Sequence, residues 1–239
     1  MRTPPAKSRP RFVSFSGIDG AGKSTQIRAL RAMAEAAGLR VRLVSFWDDV
    51  ATFTRLREAG GHAIFNGDKG IGRPEAPINR RDKNVRSGLM TAVRWFLYLL
   101  DSISLRRVVN KALKSDADLI IFDRYAYDEL ANLELHNPAT RAYAGIIMRL
   151  VPRPDICYLL DADPVHARAR KPEYPVEFLH VNRACYLALA KLLGGMTVVP
   201  ALPMEEVEWR VLRHASMLLF LTADRHTQTA DLVEGTRWA

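Results

Sequence analysis

The sequence has little cysteine, no long apolar run and no internal repeat, and each shortage narrows what the chain can be. Only Cys157 and Cys185 occur among 239 residues, both in apolar-patterned stretches. Two such thiols make neither a disulfide framework nor a paired-cysteine metal site, so a reducing, cytoplasmic setting is expected. The strongest candidates for an apolar span, Trp95 to Leu100 and Met217 to Leu221, fall far short of the roughly 20 residues of a membrane helix, and a water-soluble protein with no membrane partner is expected. His62, His136, His166 and His180 share no metal-ligand spacing within one element, which argues against zinc. No self-similarity at a period of about 20 to 50 residues points to a solenoid. The opening MRTPPAKSRPR lacks the apolar core and small-residue cleavage site of a leader, so residues 1–10 are expected to form a disordered basic tail. Negative charge is also short. Lysine and arginine number 35 against 26 acidic residues, a net charge of +9, and such a surface attracts something anionic: nucleotide, nucleic acid or an acidic lipid face.

What is present is the composition of a folded protein, 48% hydrophobic and 26% charged, on a chain long enough for one large domain with a real core. Short β-branched or aromatic runs alternate with stretches of helical period, the pattern of a parallel sheet covered by crossover helices. The class is α/β. Strands are expected at Phe12 to Ser16, Val41 to Phe46, Leu119 to Asp123, Ile156 to Asp161 and Thr197 to Val199, all apolar enough for burial on both faces. A first helix should run from about Lys23 to Ala37, with Ile27, Leu30, Met33, Ala34 and Ala37 on one face and Gly38 as its stop. Residues 52–88 break the rhythm: glycines and prolines punctuate a segment carrying Arg55, Arg57, Lys69, Arg73, Arg80, Arg81, Lys83 and Arg86. A mobile, basic excursion on the acceptor side is expected there. Helical patterning resumes near Ser87 through Trp95, Leu99, Ile103 and Val109, with Met90, Trp95, Phe96 and Leu99 expected in the core. The RKPEYP break at Arg170 to Pro175 has the composition of a short lid, spanning 164–177 with its flanks, and one amphipathic helix follows Pro203. The expected organisation is a single domain over 11–222 with a tail at 223–239.

Three segments carry chemistry. In RFVSFSGIDGAGKST, Gly17, Gly22, Lys23 and Ser24 fill the G-x-x-x-x-G-K-[ST] template between a strand and an amphipathic helix. This is a phosphate loop: glycines let backbone N–H groups curl around phosphate oxygens, lysine reaches the β and γ phosphates, and the hydroxyl serves magnesium. The second is LIIFDRY, a strand ending in Asp123 and Arg124 at the sheet edge where α/β proteins bind ligands. Aspartate there can hold magnesium through water and arginine can clamp a phosphate; the plainer alternative is a surface ion pair at a strand end. In the third, YLLDADPVHARARK, Asp163 and Pro164 can start a helix that delivers Arg168 and Arg170. Two arginines before a break at Pro172 suit a lid over transferring phosphates, with a solvated basic helix end as the alternative.

At these residues the chain resembles the thymidylate kinases, within the nucleoside monophosphate kinases. GIDGAGKST is very close to that family's phosphate loop, and the DRY triplet, the LDADP segment and a helix with Arg183 and Tyr186 come in the family's order over about residues 11–200. The resemblance implies a three-layer P-loop kinase fold with a five-stranded parallel sheet, ATP and magnesium, and transfer of the γ-phosphoryl group to a nucleoside monophosphate, most simply dTMP. It implies that Gly17, Ile18, Asp19, Gly20, Ala21, Gly22, Lys23, Ser24 and Thr25 hold ATP and that Ser24 and Asp123 hold magnesium. Asp19 would face the acceptor sugar and Arg124 would grip the acceptor phosphate. Gly20 stands where some members carry a loop arginine, which resembles the subset with catalytic arginines in the lid, here Arg168 and Arg170. A homodimer is a weaker implication.

The departures lie on the acceptor side. After strand two the family's arginine-proline-glycine-glycine run is replaced by FWDDVATFTR, with Trp47, Asp48 and Asp49 in its place. In the helix before strand three, Tyr98 can stack on a base, but Ser102 sits where a base-reading arginine is expected, with Arg94, Arg106 and Arg107 nearby. Beyond DRY stand Tyr127, Asp128, Glu129 and Asn132. These leave open a kinase of the same fold acting on another, non-nucleotide acceptor, or a catalytically silent nucleotide- or nucleic-acid-binding protein. Basic residues around one phosphate-transfer pocket already account for part of the +9 without nucleic acid.

Overall fold

A strand with apolar side chains on both faces finds burial only at the middle of a covered sheet, and RFVSFS is buried at every position after Arg11. The computed structural model describes residues 9–50 and 88–217. Within them β1 (Arg11–Ser16), β2 (Val41–Ser45), β3 (Leu119–Asp123), β4 (Ile156–Leu160) and β5 (Thr197–Val199) form one sheet in the order β2-β3-β1-β4-β5. Every neighbouring pair is parallel, with Val13 opposite Ile121 on one side and Ile156 on the other. The expected strands are found with ends shifted by at most one residue. Because β1 is central, the loop that leaves it emerges at the middle of the sheet's carboxyl edge, with β3 on one side and β4 on the other.

The helices flank this sheet: α1 (Lys23–Ala36), α2 (Gly88–Leu113), α3 (Ala126–Leu130), α4 (Pro138–Leu150), α5 (Pro164–Arg170), α6 (Val176–Leu193) and α7 over 204–217. A single wide helical turn, Phe46–Val50, continues from β2. Helix ends follow their sequence signals. Gly38 takes φ +79° after α1 while Leu39 N–H donates back to the Ala34 carbonyl at 3.0 Å, the left-handed stop that glycine permits. Asp163 caps α5 by accepting from the backbone N–H groups of Val165 and His166, both at 3.0 Å, with Pro164 as first residue.

The core joins the two halves of the sheet through aromatic rings. Phe12 meets Phe122 at 4.9 Å and Phe15 stacks on Tyr158 at 5.1 Å, all four fully buried. Truncating one of these phenylalanines to alanine should cost about 3 to 5 kcal/mol in lost burial and cavity formation. On α2 the expected core positions are met in part. Trp95 stacks flat on Tyr143 at 4.6 Å and Leu99 packs against the core, but Phe96 is 59% exposed. The buried row is instead Tyr98, Asp101, Ser102, Leu105, Val109 and Ala112. At 100° per residue Phe96 lies about 200° from Tyr98, on the opposite face. Residues 52–87 of the expected basic excursion, and the expected tails apart from positions 9 and 10, lie outside the described residues. Among the described residues no helix is long and apolar enough to cross a membrane.

Candidate active site

The loop after β1 is shaped by backbone conformations that side chains oppose. Gly17 has φ +141° and Gly20 φ +80°, and a Cβ at these positions would lie 2.5 Å from the Leu160 carbonyl oxygen and 2.2 Å from that of Ala167. Only glycine lets the loop pass this close to β4 and α5. The turn delivers Lys23 and Ser24 to the first turn of α1, whose N-terminal N–H groups and dipole favour an anion. The Lys23 ammonium is buried and folds back on its own loop, donating to the carbonyls of Gly17 at 2.7 Å and Ile18 at 2.9 Å. Burial pushes its pKa down and the Arg124 charge adds to this, leaving it at about 8 despite Asp19, Asp128 and Asp123.

A charged chain links the loop to the end of β3. Arg124 is a non-glycine residue at φ +68°, a sparsely populated conformation of the kind held in place at functional sites. Its N–H donates to the Phe15 carbonyl at 3.0 Å, and its guanidinium donates to the Asp19 carboxylate and reaches Asp128 at 3.5 Å. Burial opposes the Arg124 charge, but Asp19 and Asp128 hold its pKa well above the ordinary value. Burial pushes the Asp19 carboxyl up, yet the charges of Arg124, Lys23 and Lys171 outweigh it and bring the pKa to about 2. Asp128 is buried and saturated: it accepts from Ser16 Oγ at 2.7 Å, the Tyr125 N–H at 2.9 Å and the Tyr186 hydroxyl at 2.7 Å. Asp123, beside Lys23 and Arg124, has its carboxyl raised by burial against the pull of those two cations.

Helix α5 closes over the loop. Arg170 Nε donates to the Gly20 carbonyl at 2.9 Å, and Lys171 Nζ lies 3.6 Å from Asp19 and 3.2 Å from Glu173. Arg168 Nε is buried with no hydrogen-bond partner among the described residues, where most buried donors are matched. Arg183 of α6 clamps Asp161 through two bonds of 2.6 and 2.7 Å, tying the end of β4 to the helix behind the lid. The glycine cradle, the buried ammonium and the orphaned guanidinium nitrogen fit a phosphate chain. Ser24 at the first turn of α1 and Asp123 at the end of β3 are oxygen donors of the kind magnesium takes.

Near the carboxyl ends of β2 and β3 lies a small recess with room for about one water molecule. It is walled by Phe46, Leu105, Leu130 and Ile147, with Tyr98, Asp101, Ser102 and Glu129 as its polar lining. Three separate stretches build it: the turn after β2, the buried face of α2, and α3 directly after Arg124.

The structure thus brings Asp123, Arg124 and Arg170 against the loop from Gly17 to Thr25, carries Arg168 on the same α5 helix, and places Tyr98 in the recess. Trp47 is 40% exposed, packed edge-on against Phe46 at 5.6 Å, and is not among the recess residues; Phe46 is. Sequence reasoning did not single out Asp101 or Lys171. Asp101 had no local signal, being an acidic residue inside an apolar helical face. Lys171 was visible only as part of the lid's basic composition.

No protein-family model matches the chain. Among curated proteins it is similar to the probable thymidylate kinase of Methanobrevibacter smithii, 30% identical over 182 residues that cover 74% of this chain and 80% of that protein. The probable thymidylate kinase of Methanosphaera stadtmanae is 26% identical over 82% of this chain and 92% of its own length. The thymidylate kinase of Xanthomonas euvesicatoria pv. vesicatoria is 28% identical over 95% of each.

Proposed function

Because the chain belongs to the thymidylate kinase family, we propose that it moves the γ-phosphoryl group of ATP to a nucleoside monophosphate, with dTMP as the acceptor its relatives' names suggest. The observation that carries this reading is the meeting of the Lys23 loop with Arg124 through Asp19 at the carboxyl edge of β1 and β3. Phosphoryl transfer asks little covalent chemistry of the protein; it asks for two anions held in line, shielded from water and neutralised by cations.

In this reading the residues divide the work. The loop amides from Gly17 to Thr25 and the Lys23 ammonium hold the donor phosphates. Ser24 and Asp123 hold magnesium, which when bound neutralises phosphate oxygens. Arg124 grips the acceptor phosphate, Asp19 faces the acceptor sugar, and Arg168 and Arg170 meet the phosphoryl group from the lid. The bond broken lies between the γ-phosphorus and its bridging oxygen, the bond formed joins that phosphorus to an acceptor phosphate oxygen, and ADP leaves. A cytoplasmic location and a homodimer accompany the reading, the latter supported by Val93, Phe96 and Ile103 exposed along α2.

The test is ADP release with ATP and magnesium against dTMP, dUMP, UMP, CMP, AMP, GMP and no acceptor, with Lys23→Ala as control. Turnover on a monophosphate that disappears in Lys23→Ala is expected. ATP binding without turnover on any monophosphate overturns the reading. A second reading, the same reaction on an acceptor other than dTMP, is favoured by one observation: Ser102, not an arginine, lines the recess.

A further inference from the structure

The last turn of α5 rests directly on the phosphate loop. A Cβ on Gly20 would lie 2.2 Å from the Ala167 carbonyl oxygen, so no side chain at position 20 fits beneath the helix. That same carbonyl accepts the Lys171 backbone N–H at 3.0 Å, and Arg170 Nε donates to the Gly20 carbonyl at 2.9 Å. Lys171 is therefore fixed where α5 ends over the loop, and a cation above Gly20 has to come from the lid. Its ammonium lies 3.6 Å from Asp19 Oδ1, the same oxygen to which Arg124 donates. Two cations, one from the end of β3 and one from the end of α5, thus converge on a single carboxylate oxygen. Against burial, the charges of Arg124, Lys23 and Lys171 together bring the Asp19 carboxyl to about 2.

The two contacts on Asp19 differ in kind. Arg124 makes a hydrogen bond, whereas at 3.6 Å Lys171 pairs its charge without one. On its other side Lys171 Nζ lies 3.2 Å from Glu173. The Lys171 side chain is 46% exposed, and an ion pair so open to water adds little to the stability of a fold. A phosphoryl group presents several anionic oxygens and satisfies converging cations better than one carboxylate oxygen does. Lysine suits such an exchange, with a compact charge on a flexible stem and donors that rotate. We propose that Lys171 is a further catalytic residue of the phosphoryl transfer, its ammonium turning from Asp19 to the oxygens of the γ-phosphoryl group while Glu173 keeps its stem beside the loop. It stays protonated throughout; the bonds broken and formed are those of the transfer itself, and its charge stabilises the group in passage. The inference rests on the proposed phosphoryl transfer and adds a residue to it.

The experiment compares the full chain with Lys171→Met, which keeps the stem and removes the charge, and with Lys171→Arg, which restores a charge. Turnover is measured with ATP, magnesium and whichever monophosphate the wild type accepts best. Lys171→Met should lower kcat about a hundredfold, Lys171→Arg should recover about tenfold or more of that loss, and Tm should stay within error of the wild type in both. A second readout needs no turnover: calorimetry of ADP and of the β,γ-imido analogue of ATP, each with magnesium. Only the analogue carries a γ-phosphoryl group, so Lys171→Met should weaken its binding by about threefold or more beyond any change for ADP. A kcat within about threefold of the wild type overturns the inference, and so does an equal change in affinity for the two nucleotides. A rise in kcat, the mark of a latch that only holds the lid shut, overturns it as well. Each of these leaves the proposed function standing, whereas a wild type that binds ATP and turns over no monophosphate defeats both.

Discussion

The two sides of the gap are built on different principles. The donor side is backbone: glycines at positive φ, the N-terminus of α1 and a lysine folded onto loop carbonyls, all within Gly17 to Thr25. The side proposed for the acceptor is side chains: Phe46, Tyr98, Asp101 and Glu129, brought from three separate stretches onto one small recess. Backbone recognition of phosphate fixes residue types at fixed spacing and tolerates little change. Side-chain recognition can be rewritten one position at a time while the fold stays whole. The contrast predicts that variants on the donor side abolish turnover whatever the acceptor, whereas those in the recess change which acceptor is used.

Lys23→Met is the sharpest break, since it keeps the buried stem and removes the charge. It should lower kcat/KM about a thousandfold for every acceptor with little change in Tm, on the scale of one cation lost from a phosphoryl-transfer site. A loss that differed between acceptors would contradict the division. Arg124→Ala comes next, because Arg124 is common to both sides. Removing its guanidinium breaks its ion pairs with Asp19 and Asp128 and leaves Asp19 only the more distant charges of Lys23 and Lys171, and breaking such a buried pair should cost about 3 kcal/mol of stability. Urea unfolding measures this, and a cost within error of zero would mean that Arg124 does not hold the two sides together.

The Asp19 link can be titrated. Its folded pKa of about 2 lies below the ordinary value of 3.8, so its contribution is complete above about pH 4 and is lost as the pH falls from about 4 to about 2. The size is about 2 kcal/mol by linkage, given that the side chain is only 17% exposed. Wild-type stability should therefore fall more steeply than that of Asp19→Asn in this window and in parallel with it above pH 5. Parallel curves throughout would mean that the carboxylate gains nothing from Arg124 and Lys171.

The same contrast governs what could be read before any coordinates. The β1 loop and α1 were legible because their signals are local: a glycine spacing, a strand before it and an apolar stripe after it. The cap at Asp163 and the stop at Gly38 are local in the same sense. The recess was not, because its polar residues are remote in sequence and unremarkable one at a time. Asp101 sits in an apolar helical face, and Glu129 in a short run after DRY that reads as a departure from a family pattern rather than as a donor or acceptor. Phe96 shows the complementary limit: hydrophobic content marked α2 as packed, but only the position of Tyr98 and Leu105 sets which face turns inward.

Ser102→Ala should have the smallest effect and bears most directly on how the recess is built. The hydroxyl bonds back to the Tyr98 carbonyl at 2.7 Å, a carbonyl already within the helix ladder, so its loss removes one supplementary bond and should cost no more than about 1 kcal/mol. If Ser102 is only a small filler where a larger base-reading side chain could stand, the alanine variant keeps its order of preference among acceptors and its kcat/KM within about threefold. If the hydroxyl oxygen instead accepts from the bound ring, the preferred acceptor alone weakens, by the same 1 kcal/mol or about fivefold in kcat/KM, while the others hold. Comparing the ratio across acceptors, not the rate on any one, separates a Ser102 that only fills space from one that touches the acceptor.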